Sequence, residues 1–437
     1  VVTSSAQDIV SYFLPKGYPY SVRAGYGQYV AFQSGGAVFS SVASVLSIQS
    51  LLLAVGVGQD VLPVASTINW ILKDGIGQLG GVFFASLVSN QFDSQPKRWR
   101  ILASVSWDLA TLLELLTPLF PGQFLVLASV ANIGKNISFL SSSASRAAIH
   151  RSFAVHENLA DLTVKTGSQS IISSMIGTAL GIGIASFITE TYHFSGVLTV
   201  FLICSMGHQV FNYWSLSHVT LSTLNIERLL YLYTHYMHTL SHSYLSSQCT
   251  THCLLSSSAL TSREVLHAVP KIYPLLLPSM HIGADVNIAI PCEEDLIFLR
   301  AEFQSQSYLV IPRANELTGV AETHLLFKDE ARIEDVLKGI LTAHMACMLL
   351  KEKGYRCFSL WERVLRGVYK VAGMNTPSRL RLQTDVLEEM RSQLLSADKQ
   401  NRSQDSRLDI FVSDCLSSEW HAEELLLETR RARIRDI

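Results

Sequence analysis

The sequence predicts an all-α polytopic membrane domain of about six transmembrane helices, followed by a small α/β soluble domain. Three observations carry that prediction. Charge is divided unevenly along the 437 residues, with 16 Asp, Glu, Lys and Arg in residues 24–226 and 51 in residues 227–437. The first density, roughly 8%, is far below the value of about 25% usual for soluble domains, and the second, roughly 24%, matches it. Six apolar stretches also reach the roughly 20 residues that a helix needs to cross a bilayer core of about 30 Å. Finally, Lys and Arg occupy alternate loops only.

The stretches cover residues 35–57, 67–88, 101–119, 123–143, 168–188 and 195–218. The first and last lie in runs of about 36 residues without a charged side chain, whereas the second and third carry charges inside them. Lys16 and Arg23 precede the first span. Lys97, Arg98 and Arg100 lie between the second and third, and Arg146, Arg151 and Lys165 between the fourth and fifth. Arg228 follows the sixth, while the opposite loops around Asp60, Pro121 and Glu190 hold no Lys or Arg. This is the positive-inside pattern, with both ends on the cytoplasm-like face. Small residues at Gly77, Gly81, Ser141, Ser145, Gly177, Gly181 and Gly183 let helices approach closely in lipid. They are not a phosphate loop, because no strand precedes them and no Gly-Lys-Ser/Thr follows.

The implied domains are an N-terminal segment (1–34), the transmembrane domain (35–226), a His- and Ser-rich linker helix (227–269) and a soluble α/β domain (270–437). The chain starts at Val1, so its N-terminus is expected to be incomplete, and the lack of a leader says nothing about the compartment. A net charge of −2 gives no reason to expect a nucleic-acid partner. Seven scattered cysteines do not form a disulfide framework. The cluster Cys249, His252 and Cys253 lacks a second ligand pair, and His235, His238 and His242 share a helical face without a carboxylate, so no metal is expected.

Ionisable residues within a span cost at least about 2.5–3.5 kcal/mol each, so they need partners or a wet cavity. Five stand there: Lys73 and Asp74 in the second span, Asp108 and Glu114 in the third, and Lys135 in the fourth. Counted from the turn at Phe120, Asp108 and Lys135 lie about 18 and 22 Å along antiparallel helices. They are expected to pair near mid-membrane, with Lys73 level with Glu114. Two readings stay open: the charges line a cavity that binds a small metabolite or relays protons, or they lock helix register around a dry interior. Asp74-Gly75 could instead break the second span near the interface.

The motif Phe13-Leu-Pro-Lys-Gly-Tyr-Pro-Tyr-Ser-Val22 resembles the root UV-B sensitive family. The resemblance continues through Asn69-Trp-Ile-Leu-Lys-Asp-Gly-Ile-Gly-Gln78 and Phe92-Asp-Ser-Gln-Pro-Lys-Arg-Trp-Arg100, which contains Asp93, Lys97, Arg98 and Arg100. It then passes through Arg146-Ala-Ala and Asn158-Leu-Ala-Asp-Leu-Thr-Val-Lys165, with Asp161 inside it, to Gly167-Ser-Gln169. Ser152 and Thr166 depart from the family's usual His and acidic residue. The resemblance implies a eukaryotic membrane protein with no established catalytic activity, tied in plants to UV-B response and vitamin B6 homeostasis, often in plastids. The six-span plan and the Asp93…Arg100 loop also resemble one half of a major facilitator transporter, which implies pairing with a second copy or a family relative.

The basic loop at Lys97–Arg100 reads as a topology determinant that also suits anionic lipid headgroups. The loop of residues 146–169, with His150, Arg151, His156, Glu157, Asp161 and Lys165, reads as a surface amphipathic helix or, more sharply, as a gate or docking surface. In the second half, residues 307–311 and 323–327 read as strands, and 332–351, 380–395 and 422–433 as helices. The linker helix reads as exposed. No nucleophile–base pair stands out, so neither an enzyme nor a cofactor is expected. Transport or homeostasis of a small metabolite leads, and a membrane scaffold that assembles partners through the soluble domain is the alternative.

Overall fold

The computed structural model describes residues 12–55, 64–88, 92, 95–155, 158–243, 254–260, 279–283, 289–290, 292–304, 306–315, 319–355, 381–396, 407–418, 420–426 and 433–434. The chain forms two compact units, Val1–Leu221 with Ser258–Val269, and Ser222–Ser257 with Pro270–Ile437.

The first unit is helical. Its elements are α1 (Tyr26–Val55), α2 (Val64–Val88), α3 (Pro96–Leu116), α4 (Phe124–Phe153) and α5 (Leu159–Ser217). The turn between α3 and α4 consists of two short 3-10 segments, Thr117–Leu119 and Pro121–Gln123, where Pro118 and Pro121 forbid a continuous helix. α5 is doubled on itself. Gly177 abuts Val38 and Ser41 of α1, and Gly207, about 30 residues on, abuts Phe39. A straight helix would separate those glycines by about 45 Å, so the arms before and after residues 189–193 lie side by side on α1. Val42, Leu46, Ala185, Ile188, Val197 and Phe201 fill the space between them.

Five helical segments among the described residues are long and apolar enough to cross a membrane: Tyr26–Val55, Pro96–Leu119, Phe124–Phe153, Leu159–Ile188 and Phe194–Ser217. The expected span at 67–88 forms the helix α2, unbroken at Asp74-Gly75, but is not one of these five. α4 runs on to Phe153, so Arg146, His150 and Arg151 belong to its last turns. Asp161 and Lys165 belong to the first turns of α5. The separate surface helix expected over 146–169 therefore does not form, because the core residues Ile149, Phe153 and Leu162 draw these turns into the bundle.

The second unit contains β1 (Thr223–Asn225), α6 (Ile226–Ser243), β2 (Ser279–Ile282), α7 (Glu293–Glu302), β3 (Tyr308–Asn315), β4 (Val320–Lys328), α8 (Ile333–Glu352), β5 (Arg381–Leu382), α9 (Thr384–Ser396), α10 (Arg407–Ser417), β6 (His421–Leu426) and β7 (Arg433–Ile434). The main sheet has the order β2-β4-β3-β5, with β3 and β4 antiparallel from Tyr308↔Phe327 to Asn315↔Val320, and β7 also pairing with β4. α8 covers one sheet face so closely that a side chain on Gly339 would meet Phe327 at 2.8 Å. This explains the apolar period of residues 332–351.

Two expectations are corrected. α6 is not an exposed linker: Leu229 and Leu232 are buried, and Tyr233 and Tyr236 pack on Phe411 of α10. Residues 422–426 of the helix expected over 422–433 form a strand instead, and 427–432 lie outside the described residues. The Ala-, Glu- and Leu-rich stretch has helical propensity, but His421–Leu426 pairs in parallel with β1, and tertiary pairing overrides local preference.

Candidate functional site

The polar interior of the first unit is organised by α3. Arg100, Ser104, Asp108 and Thr111 recur at spacings of four, four and three residues, and so follow one face of that helix. Asp108 is 6% exposed. Its carboxylate accepts three hydrogen bonds from the second arm of α5: from Ser205 Oγ at 2.9 Å, His208 Nδ1 at 2.8 Å and Gln209 Nε2 at 2.6 Å. Those donors stand three and four residues apart, one helical face presenting a ready-made carboxylate cradle. The network continues one turn along α3, where Ser104 Oγ donates to Gln209 Oε1 at 3.0 Å and accepts from Asn212 Nδ2 at 2.9 Å.

The expected Asp108–Lys135 pair does not form. Lys135 Nζ instead meets Glu114 Oε2 at 2.5 Å, and Ser47 Oγ of α1 donates to the same oxygen at 2.6 Å. The depth estimate holds but the helix rotation differs. Gly134 lies against Ala110, two residues from Asp108, and Ser138 Oγ donates to the Ala103 carbonyl. The α4-facing side of α3 thus carries Ala103, Ser106 and Ala110, while Asp108 turns toward α5. Lys135 reaches one turn further to Glu114, with its ammonium 5.4 Å from the Trp107 ring.

Lys73 is likewise not paired with Glu114. It contacts Asp74 Oδ1 at 2.6 Å and sits 4.3 Å above the Trp70 ring. Asn132 Nδ2 of α4 donates to the same Asp74 oxygen at 2.7 Å. Gly77 and Gly81 let α2 approach α4 here, since side chains on them would meet Asn132 at 2.6 Å and Asn136 at 2.9 Å.

Three of the family-motif residues share a role. Asp161 Oδ2 accepts from the Lys16 backbone N–H at 2.8 Å, Asn158 Nδ2 donates to the Ser21 carbonyl at 2.7 Å, and Gln169 Nε2 donates to the Phe13 carbonyl. Arg23 N–H bonds to the Phe153 carbonyl at 3.0 Å and Val22 bridges to Ala154. The start of α5 therefore clamps the chain's own N-terminal motif, a docking surface with an internal occupant. Lys165 is half-buried, Lys97 is buried, and Arg98 donates to Gln95 Oε1 at 2.6 Å. Arg100 turns to Ser142, Arg146 stands one turn beyond it on α4, and Asp93 lies outside the described residues.

The sequence reading missed the α5 cradle because it counted only formal charges. Ser205, His208, Gln209 and Asn212, spaced as one helical face within a charge-free span, were the available signal. It also missed a polar cluster in the second unit. There the buried Glu322 carboxylate lies 3.1 Å from His324 Nε2 and 3.6 Å from His281 Nε2, on the sheet face opposite α8. Among the described residues no group of three His, Cys, Asp or Glu is placed to hold a metal ion.

Long apolar helices that expose Leu109, Val130, Phe139, Ile171, Met175 and Ile203 while enclosing bonded carboxylates define a helical membrane protein. Residues 2–240 match the family described as the vitamin B6 photo-protection and homoeostasis domain, and the chain belongs to this root UV-B sensitive family. It is similar to three Arabidopsis thaliana proteins. Root UVB sensitive 3 is 32% identical over 232 residues, 53% of this chain and 52% of the relative. Root UVB sensitive 2, chloroplastic, is 37% identical over 233 residues, 53% of each chain. Root UVB sensitive 4 is 30% identical over 359 residues, 81% of this chain and 65% of the relative. The chain thus spans about half the length of the first two. No solved structure matches the chain.

Proposed function

We propose that this chain is a multi-pass membrane protein that binds and passes a small metabolite along the α3–α5 interface, with a vitamin B6 compound the first candidate. The carrying observation is Asp108, a carboxylate sealed at mid-helix by three donors from one face of α5. Hydroxyl, imidazole and amide donors gathered on a single face could hold the anionic group of a ligand as they hold Asp108, which supports reading them as an exchangeable cradle. Vitamin B6 enters through the family description, and plastid residence through the relative named chloroplastic.

Six spans with both ends on the basic face fit this reading. α2 exposes Ile71, Leu79, Val82 and Phe83, an apolar face suited to lipid. Such a six-span unit is equivalent to half of a major facilitator transporter and would pair with a second copy or a family relative to close a path. No catalytic step is assigned to it. Equilibrium binding of a panel of B6 vitamers to the purified full chain tests the reading. Wild type should bind at least one vitamer saturably, and Asp108→Asn should weaken binding at least tenfold while keeping the fold. Absence of binding for every vitamer would reject the ligand class.

The second reading, a scaffold acting through the second unit, is favoured by that unit's own sheet and helical core. It requires that deletion of residues 227–437 abolish function in cells while Asp108→Asn is silent.

A further inference from the structure

At the basic end of the first unit two arginines, Arg100 and Arg146, meet no carboxylate among the described residues. Ser142, Arg146 and His150 succeed one another at four-residue spacing along α4 and so share one face. Arg100 approaches that face from α3, its guanidinium donating to the Ser142 carbonyl at 3.4 Å and to the Ser142 hydroxyl. Arg100 is thereby held one helical turn from Arg146 and two from His150 along that face. Neither arginine forms an ion pair among the described residues.

Topology alone does not account for this arrangement. An arginine that only marks the cytoplasm-like side extends its head toward water. Arg100 instead turns inward to a neighbouring helix, and the Nε–H of Arg146 is sealed without an acceptor. His150 is 1% exposed, with Nδ1 3.1 Å from Thr163 Oγ1 and Nε2 buried without any partner. Two guanidiniums held near one another repel unless an anion compensates them, and an unmet buried donor costs about 1–3 kcal/mol. A guanidinium offers five N–H donors in a planar fork, so two forks beside an imidazole suit a multiply charged tetrahedral oxyanion better than a single carboxylate.

We propose that Arg100, Arg146 and His150 form a binding site for a phosphate-type oxyanion, carried either by a small phosphomonoester or by an anionic phospholipid headgroup. The site does not depend on the transport reading and would serve a scaffold equally well.

The test uses the purified full chain in a maltoside detergent that contains no phosphate. One arm titrates inorganic phosphate against chloride at matched ionic strength by calorimetry, and the other measures retention of phosphatidic acid against phosphatidylcholine by native mass spectrometry. Saturable binding in either arm is expected, at least tenfold weaker in Arg146→Gln and in Arg100→Gln and unchanged in the control Arg300→Gln, an exposed arginine of α7. Phosphate binding identifies a small soluble anion, and phosphatidic acid binding without phosphate binding identifies a headgroup. If Arg146→Gln fails to fold, Arg146→Lys keeps the charge without the fork and must still lose affinity severalfold. Absence of binding in both arms, or equal binding by wild type and the Arg100 and Arg146 variants, overturns the site.

Discussion

Replacing Lys135 by Met tests whether α1, α3 and α4 are joined by one buried charge pair. In the folded chain Glu114 is 3% exposed and holds two donors on one oxygen, Lys135 Nζ at 2.5 Å and Ser47 Oγ at 2.6 Å. Removing one member of a buried pair costs about 3–5 kcal/mol, because the other charge is stranded. Ser47 remains to serve Glu114, and the Lys135 side chain is itself 19% exposed, so the loss should lie near the lower end, about 3 kcal/mol. For a unit of this size that corresponds to a fall in Tm of roughly 6–12 °C. Adding Glu114→Gln should restore part of the loss, because no charge is then stranded, giving a coupling of about 2 kcal/mol. Asp108→Asn combined with Lys135→Met should be additive within about 0.5 kcal/mol, since Asp108 faces α5. Thermal melts of the three single and two double variants in detergent measure both cycles. Strong coupling of Lys135 to Asp108, with none to Glu114, would refute the assignment of helix faces.

Three other outcomes follow from local geometry. Gly177→Ala should lower stability by about 1–3 kcal/mol through overpacking, because the added carbon would lie 2.5 Å from the Val38 carbonyl. Gly183→Ala, with nothing within 4 Å, should be neutral or stabilising by up to about 1 kcal/mol; parallel melts distinguish the two. Cys292 is exposed, whereas burial pushes the Cys415 thiol up to about 12, so brief maleimide treatment at neutral pH should label Cys292 and spare Cys415 until unfolding. Peptide mapping reads this directly, and equal labelling contradicts the second-unit core. Burial holds His344 below its ordinary value of 6.5, so below that pH the unfolded chain binds a proton the folded chain resists. Stability present above pH 6.5 should therefore decline as pH falls, with a shallower decline in His344→Gln, measured by melts across pH 5–7.5.

Five of the apolar helices were legible because span length is a one-dimensional property. What failed was rotation about the helix axis. Depth along α3 and α4 was correct to within about a turn, yet whether Asp108 faces α4 or α5 depends on contacts such as Gly134 on Ala110. The α5 cradle was present in the spacing of Ser205, His208, Gln209 and Asn212, but neutral polar groups weigh little in a charge count. In the second unit, β3, β4 and α8 follow from clear apolar periods. β6 does not, because its pairing with β1 joins segments almost 200 residues apart in sequence. Glu322 and the two histidines beside it were missed for a similar reason: β2 and β4 become neighbours only when the sheet forms.

Vitamer uptake by proteoliposomes holding the full chain, measured beside the melting temperature for wild type and Asp108→Asn, tests the central claim most directly. The account predicts saturable uptake by wild type, and at least a tenfold loss in Asp108→Asn with a melting temperature within a few degrees. Uptake unchanged by Asp108→Asn, or lost only in proportion to unfolding, would show that the Asp108 cradle holds helices together and does not face a pathway.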